Sequence, residues 1–128
     1  GAAAGSVRLA PEKEEVKAGE TFRIFVLAEQ TENINAFGKV IDYDPENLEF
    51  ISTEKAEGIA SMEDLTVNKI YSDGTAYVNL AFANRGDKPL YHGDGQLAVI
   101  TMKARTDLRP AEEMELGDVL ILGPDQIQ

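Results

Sequence analysis

The stretch of sequence that decides the fold is GKVIDYDPENLEF, residues 38–50. Its first half is rich in β-branched and aromatic residues, which favour a strand. The tetrapeptide at 44–47 then predicts a turn, because Asp44 can accept a hydrogen bond from the backbone two residues on and Pro45 presets its φ near about −65°. Leu48 and Phe50 restart an alternating pattern. We therefore predict a strand, an acidic proline turn and a second strand.

The length of the chain predicts one domain. A chain of 128 residues and 13.9 kDa can build a single hydrophobic core, and its hydrophobic content of 43% is typical of a globular protein. We interpret residues 1–6, GAAAGS, as a cloning scar or linker and residues 7–128 as the domain. A start of this kind also suggests a module taken from a longer protein.

Charge and cysteine content exclude several classes of partner and site. A net charge of −11 argues against nucleic acid, since a phosphate backbone requires Lys and Arg. The absence of cysteine excludes disulfides, zinc–thiolate centres and thiol nucleophiles. No apolar run approaches the length of a membrane span, so we expect no membrane insertion.

The rest of the chain reads as short strands separated by turns rich in Gly, Asp and Pro. The pattern predicts about eight or nine strands and no long helix, which is typical of an antiparallel β-sandwich. Asp73-Gly74 predicts a tight hairpin turn, and residues 58–62 a short helical turn. Lys39 shares its predicted face with apolar neighbours, which leaves open either a β-bulge or a position at the sheet rim. The predicted strands run through residues 7–11, 21–29, 34–43, 48–57, 65–71, 76–83, 96–104 and 115–122.

No catalytic or metal-binding constellation emerges from the residue pattern. His92 has no serine close by to act as a nucleophile, so we interpret it as an exposed loop histidine. The carboxylates between Asp42 and Glu49 lack the alternating ligands and the glycine of a calcium loop. The tripeptide Arg85-Gly86-Asp87 is too short to indicate adhesion. We therefore expect no enzyme activity and no bound cofactor.

Tyrosines offer a second possible binding surface. Modules that grip polysaccharide use a planar row of exposed rings, and this chain has no tryptophan. Tyr71, Tyr77 and Tyr91 are the candidates, but Tyr71 and Tyr77 flank one hairpin and can equally form a cross-strand pair that supports the sheet.

Taken together, these landmarks resemble a cohesin domain, the receptor module of bacterial cellulosomes and related glycoside hydrolase assemblies. The resemblance runs from about Val7 to Asp125. It is carried by the Gly19-Glu20 turn, IDYDPENLEF, YSDGTAYVNLAFA, QLAVITMKA and GDVLILGPD, which follow one another in the family's order and spacing.

The resemblance implies a nine-stranded jelly-roll sandwich without catalytic activity, found outside the bacterial cell or at its surface. It implies a dockerin-like partner, a small helical module that carries the calcium, bound on one flat sheet face. Polysaccharide would be reached through neighbouring modules. The face is expected to combine the strand ending at Asp42 with residues 65–71, 76–83 and 97–103. Its expected partner-binding residues are Ala36, Gly38, Val40, Asp42, Tyr71, Tyr77, Asn79, Val99 and Thr101.

The sequence departs from the family at two of these positions. Many cellulosomal cohesins carry an Asn and an Asp that hydrogen-bond the dockerin helix, and the aligned residues here are Ala36 and Gly38. The departure leaves room for a divergent module appended to a secreted glycoside hydrolase, with a different helical partner or none. A carbohydrate-binding module and a structural spacer remain the alternatives. A flat face with a central apolar patch would favour protein docking, and a row of tyrosines or a groove would favour carbohydrate.

Overall fold

The computed structural model describes residues 1–126, and the strands within that range are all antiparallel where they pair. A four-residue helix, α1 (Pro110–Glu113), and two 3-10 turns, Glu57–Ile59 and Pro124–Gln126, complete the elements. The strands are β1 (Ala4–Pro11), β2 (Thr21–Ile34), β3 (Ala36–Tyr43), β4 (Leu48–Lys55), β5 (Glu63–Asp64), β6 (Val67–Ile70), β7 (Ala76–Ala83), β8 (Tyr91–Ala104) and β9 (Gly117–Leu122).

The strands form two layers that pack face to face. Layer A has the order β4-β8-β2-β1, and layer B has the order β3-β7 followed by β5 and β6, which both pair with β7. Strand β9 joins the layers, since it pairs with β1 on one side and with β3 on the other. The predicted nine-stranded antiparallel all-β fold is confirmed.

The stretch 38–50 folds as predicted. Asp44 Oδ1 accepts a hydrogen bond from the Glu46 backbone N–H at 2.9 Å, and the Asp44 carbonyl accepts the backbone N–H groups of Asn47 and Leu48 at 3.0 Å. The Asn47 side chain also donates to Glu113 Oε1 at 2.6 Å, which ties the turn to α1. The turn therefore closes on its own side chain and is anchored to the segment after β8.

The core lies between the inward faces of the two layers. Alternate residues of β2 are buried, and they lie beside buried residues of the paired strand β8. Phe37 and Phe82 stack across the β3–β7 pair with ring centroids 5.2 Å apart. Lys39 stays in register opposite Leu80 and is half-buried, so β3 contains no bulge at this position.

Several boundaries differ from the sequence prediction. The strand predicted for residues 65–71 is split into β5 and β6, because Thr66 Oγ1 accepts the Ala81 backbone N–H at 3.2 Å in place of a strand carbonyl. Strand β1 begins at Ala4, so residues 4–6 pair with β2 instead of forming a linker. The connection between β8 and β9, which lies outside the predicted strands, contains the short helix α1. No helix within residues 1–126 has the length and apolar character needed to cross a membrane.

Candidate functional site

The outward surface of layer B, with the adjoining residues of β9, carries most of the exposed apolar side chains, and we name it the layer B face. On this face Leu120 of β9 lies opposite Gly38 of β3, and Gly38 lies opposite Ala81 of β7. The Leu65 backbone N–H donates to the Ala81 carbonyl at 2.8 Å and completes the row. A second row runs from Val40 to Asn79 and Val67.

Exposure separates this face from the rest of the surface. Seven large hydrophobic side chains are exposed in the described part of the chain, and five of them lie on this face. The other two are Ile51 and Ile70. A contiguous exposed apolar patch marks a binding surface more often than scattered single residues do. The members on the layer B face are Val40 (57% exposed), Leu65 (45%), Val67 (49%), Tyr71 (45%) and Leu120 (65%).

Polar residues surround this apolar centre. Asp42 and Asp118 are exposed and form no ion pair or side-chain hydrogen bond with any residue from 1 to 126. At the opposite edge Lys69 Nζ lies 5.6 Å from the Tyr71 ring centroid. Glu63 forms an ion pair with Arg85 at 3.0 Å. The face is thus an apolar centre within a polar rim, the composition of a protein-binding surface.

A shallow depression of about 480 Å³ occupies the middle of the face. Its floor is formed at Gly38 and Ala81, which have no side chain beyond Cβ, and Val40 and Leu120 rise beside it. A Cβ built at Gly38 would lie 2.8 Å from the Leu80 carbonyl oxygen, closer than Cβ atoms approach backbone atoms in proteins. The depression therefore depends on glycine at position 38.

Hydrogen bonds anchor the outer strands of layer B. The Tyr43 hydroxyl donates to Asn68 Oδ1 at 2.5 Å. Burial raises the pKa of Tyr43, and this effect outweighs the opposing hydrogen bond to Asn68. Asp64 accepts a hydrogen bond from the Thr53 hydroxyl of β4, which links the two layers at this edge. Partial burial opposes the ionisation of Asp64, but hydrogen bonds from Thr53 and Thr66 outweigh it and lower its pKa.

The structure brings most of the predicted partner-binding residues together and separates two of them. Val99 and Thr101 lie on the outer surface of layer A, because β8 pairs with β2 and β4, and their predicted place on the layer B face is wrong. Strand β9 lies beside β3 on this face, and β8, which was expected to contribute to the face, does not. Ala36 points outward but is only 7% exposed, since it lies between Leu122 and Ala83. Gly38, Val40, Asp42, Tyr71, Tyr77 and Asn79 all lie on the layer B face.

Sequence reasoning missed Leu120, and it did not single out Leu65 and Val67 although their segment, residues 65–71, was expected on the face. Leu120 carries the largest exposed fraction of the apolar residues there, at 65%, and Val67 (49%) and Leu65 (45%) extend the apolar surface towards β6. Alternation did contain the signal: Val119 is buried, so its neighbour Leu120 must face outward. A large aliphatic residue at an outward-facing position of a strand is therefore the sequence signal that could have placed Leu120 on this face.

The other candidate sites remain separate from one another. His92 lies on β8, is exposed, and accepts a hydrogen bond from the Asn33 backbone N–H on Nδ1 at 3.2 Å. Residues 1–126 contain no group of three or more His, Cys, Asp or Glu side chains arranged to hold a metal ion. Tyr71 and Tyr77 form the cross-strand pair considered above, with centroids 6.0 Å apart and planes inclined at 44°.

The sequence matches a known family model over most of its length. The family model described as "Cohesin domain" matches residues 7–123. No curated protein matches the sequence at a significant level.

Solved structures share the fold at low sequence identity. A type II cohesin domain from the cellulosome of Acetivibrio cellulolyticus has a TM-score of 0.59 at 13% identity, covering 97% of this chain and 98% of that one. A non-cellulosomal cohesin from the archaeon Archaeoglobus fulgidus has a TM-score of 0.57 at 16% identity, covering 94% and 80%. A type II cohesin–X–dockerin complex from Acetivibrio cellulolyticus has a TM-score of 0.58 at 16% identity, covering 80% and 72%.

Proposed function

This chain belongs to the cohesin family, and on that premise we propose that it is a non-catalytic module that binds a dockerin-type helical module through the layer B face. In this proposal the calcium is carried by the dockerin partner and not by this chain. The module would assemble secreted carbohydrate-active enzymes outside a bacterial cell or at its surface, and polysaccharide would be reached through neighbouring modules.

The observation that carries the proposal is the exposed apolar centre of the layer B face. Val40 and Leu120 are more than half exposed in a folded domain whose core is otherwise complete. Leaving such side chains in water forgoes a favourable transfer of about 25 cal/mol for each Å² of apolar surface. A partner that covers them recovers this free energy, and a rim of charged residues gives orientation. Protein docking accounts for both features.

The same geometry weighs against a carbohydrate platform. A polysaccharide chain stacks on rings that are coplanar and exposed, whereas the planes of Tyr71 and Tyr77 are inclined at 44°. Tyr91, the third candidate, lies on β8 of layer A and is half-buried. The tyrosines therefore do not form one surface, and protein docking is the better-supported reading.

A pull-down with dockerin-type modules encoded in the same genome tests the proposal. We expect the immobilised domain to retain at least one module in calcium and to release it in EDTA. The domain itself should keep its melting temperature in EDTA, because the calcium sites lie on the partner.

The contrary result is equally specific. If no module is retained, and a polysaccharide instead retards the domain in an affinity gel, then the protein-docking function is wrong.

A further inference from the structure

The depression on the layer B face suggests how a partner is recognised, and this argument rests on the proposed function. We infer that the depression is an apolar slot for one bulky aliphatic or aromatic side chain of a partner helix, with a Lys or Arg of that helix placed beside Asp42 and Asp118. In this arrangement the partner is recognised by the fit and burial of its apolar side chain in the slot. The attraction between its basic residue and the two aspartates acts at one end of the face.

The floor and two sides of the slot are apolar, and its remaining lining includes Lys39 and Asp118. Gly38 and Ala81 form the floor, while Leu120, 65% exposed, and Val40, 57% exposed, stand at its sides. Asn79 is the one uncharged polar side chain on its lining. A helix that laid a small polar residue here would leave the depression unfilled, whereas a large apolar side chain would bury the exposed surfaces of Leu120 and Val40 together.

Backbone geometry prevents this centre from carrying a polar contact of its own on β3. A side chain at position 38 would place its Cβ 2.8 Å from the Leu80 carbonyl oxygen. Ala36, the other outward position, is 7% exposed and ends at a methyl group. The two residues that stand where related modules are expected to present Asn and Asp therefore offer space instead of hydrogen bonds.

The charge at one end of the slot selects a basic neighbour. Asp118 lines the slot and Asp42 lies two residues along β3 from Val40. Neither carboxylate forms an ion pair within residues 1–126, since Arg8, which lies opposite Asp118 on β1, is paired with Glu29 instead. Glu63 at the other end is already paired with Arg85. The chain as a whole carries a net charge of −11. A cation on the partner helix would be attracted to this end and would fix the direction of the helix.

A selection experiment tests the slot without a known partner. The probe is a displayed library of a two-helix hairpin in which the outward positions of one helix are randomised, selected against the wild-type domain. We expect enrichment of Leu, Ile, Met or Phe at one position with Lys or Arg about one helical turn away. Enrichment of Ser, Thr or Asn at the contact position, or no enrichment of binders at all, would overturn the inference.

Variants of the domain then show whether the selected helices use the slot. Ala81→Leu fills the floor, and Leu120→Ala removes a wall that is already exposed, so neither should prevent folding. We expect each to weaken binding about tenfold or more. Ile51→Ala is the matched control, because Ile51 is an exposed aliphatic residue (46%) on β4 of layer A, and it should leave binding unchanged. Equal binding by the wild type and Ala81→Leu would contradict the slot.

The two proposals fail in different ways. If a dockerin module binds and Ala81→Leu leaves its affinity unchanged, the slot is wrong while the docking function stands. If selected helices need the slot but no dockerin module binds, the slot stands while the dockerin partner is wrong.

Discussion

The carbonyl oxygen of Leu80 lies 2.8 Å from the point where a Cβ would stand on Gly38. A larger residue at position 38 would therefore require β7 to shift away from β3, with which it pairs at this point. The close approach of the Leu80 carbonyl gives a structural reason for glycine at position 38, where many related modules carry Asp.

Gly38→Ala should therefore destabilise the domain. Forcing a methyl group against a backbone carbonyl costs about 1–3 kcal/mol, and urea unfolding would measure the loss. Gly58→Ala is the control, since its nearest contact is the side chain of Tyr91 at 3.1 Å, which can shift. If the Gly38→Ala protein is as stable as the wild type, β7 moves aside without cost and the prediction is wrong.

The hydrogen bond from Tyr43 to Asn68 should hold β6 against the rest of layer B. Tyr43→Phe removes the donor and should lower the free energy of unfolding by about 0.5–1.5 kcal/mol. The Asn68 side chain belongs to an exposed residue, so water can replace the lost partner.

A double-mutant cycle with Asn68→Ala isolates this contact. Strictly additive losses from the two single changes would mean that the bond contributes nothing of its own.

Asp64 should make the edge between the layers sensitive to acid. Its pKa is lowered in the fold, where the hydrogen bonds from Thr53 and Thr66 to the carboxylate outweigh the opposing effect of burial. A lowered pKa gives stability that is fully present above the unfolded value, near about 3.9, and is lost as the pH falls through the folded value. Asp64→Asn should therefore be less stable than the wild type at pH 7.

Unfolding at a series of pH values measures this effect. The stability difference between Asp64→Asn and the wild type should shrink as the pH falls below about 4. Asp118→Asn serves as the control, because its carboxylate accepts no hydrogen bond within residues 1–126. A difference that stays constant with pH would exclude this role for Asp64.

Local chemistry in the sequence was sufficient to predict much of the fold. The turn at Asp44 depends on contacts within four residues, and its hydrogen bonds formed as expected. The burial of alternate residues along β2 and β8 followed from their period of two. These features depend on near neighbours in the chain, which the sequence displays directly.

Pairing between distant strands was harder to predict. The pattern of QLAVITMKA identifies a strand but not its neighbours, so Val99 and Thr101 were placed in the wrong layer. Hydrogen bonding to both β2 and β4 decides the position of β8, and β9 takes the place beside β3. The break between β5 and β6 was also hidden, since it depends on a hydrogen bond that the Thr66 side chain accepts from the Ala81 backbone N–H on β7.

Val40 and Val99 lie on the outer surfaces of opposite layers, which makes them a matched pair for the central claim. The most direct measurement is isothermal titration of a calcium-loaded dockerin module into the wild type, Val40→Arg and Val99→Arg. We predict binding by the wild type and by Val99→Arg, and a loss of about tenfold or more for Val40→Arg. Loss of binding in Val99→Arg with Val40→Arg unaffected, or no binding of any dockerin module by the wild type, would contradict the account.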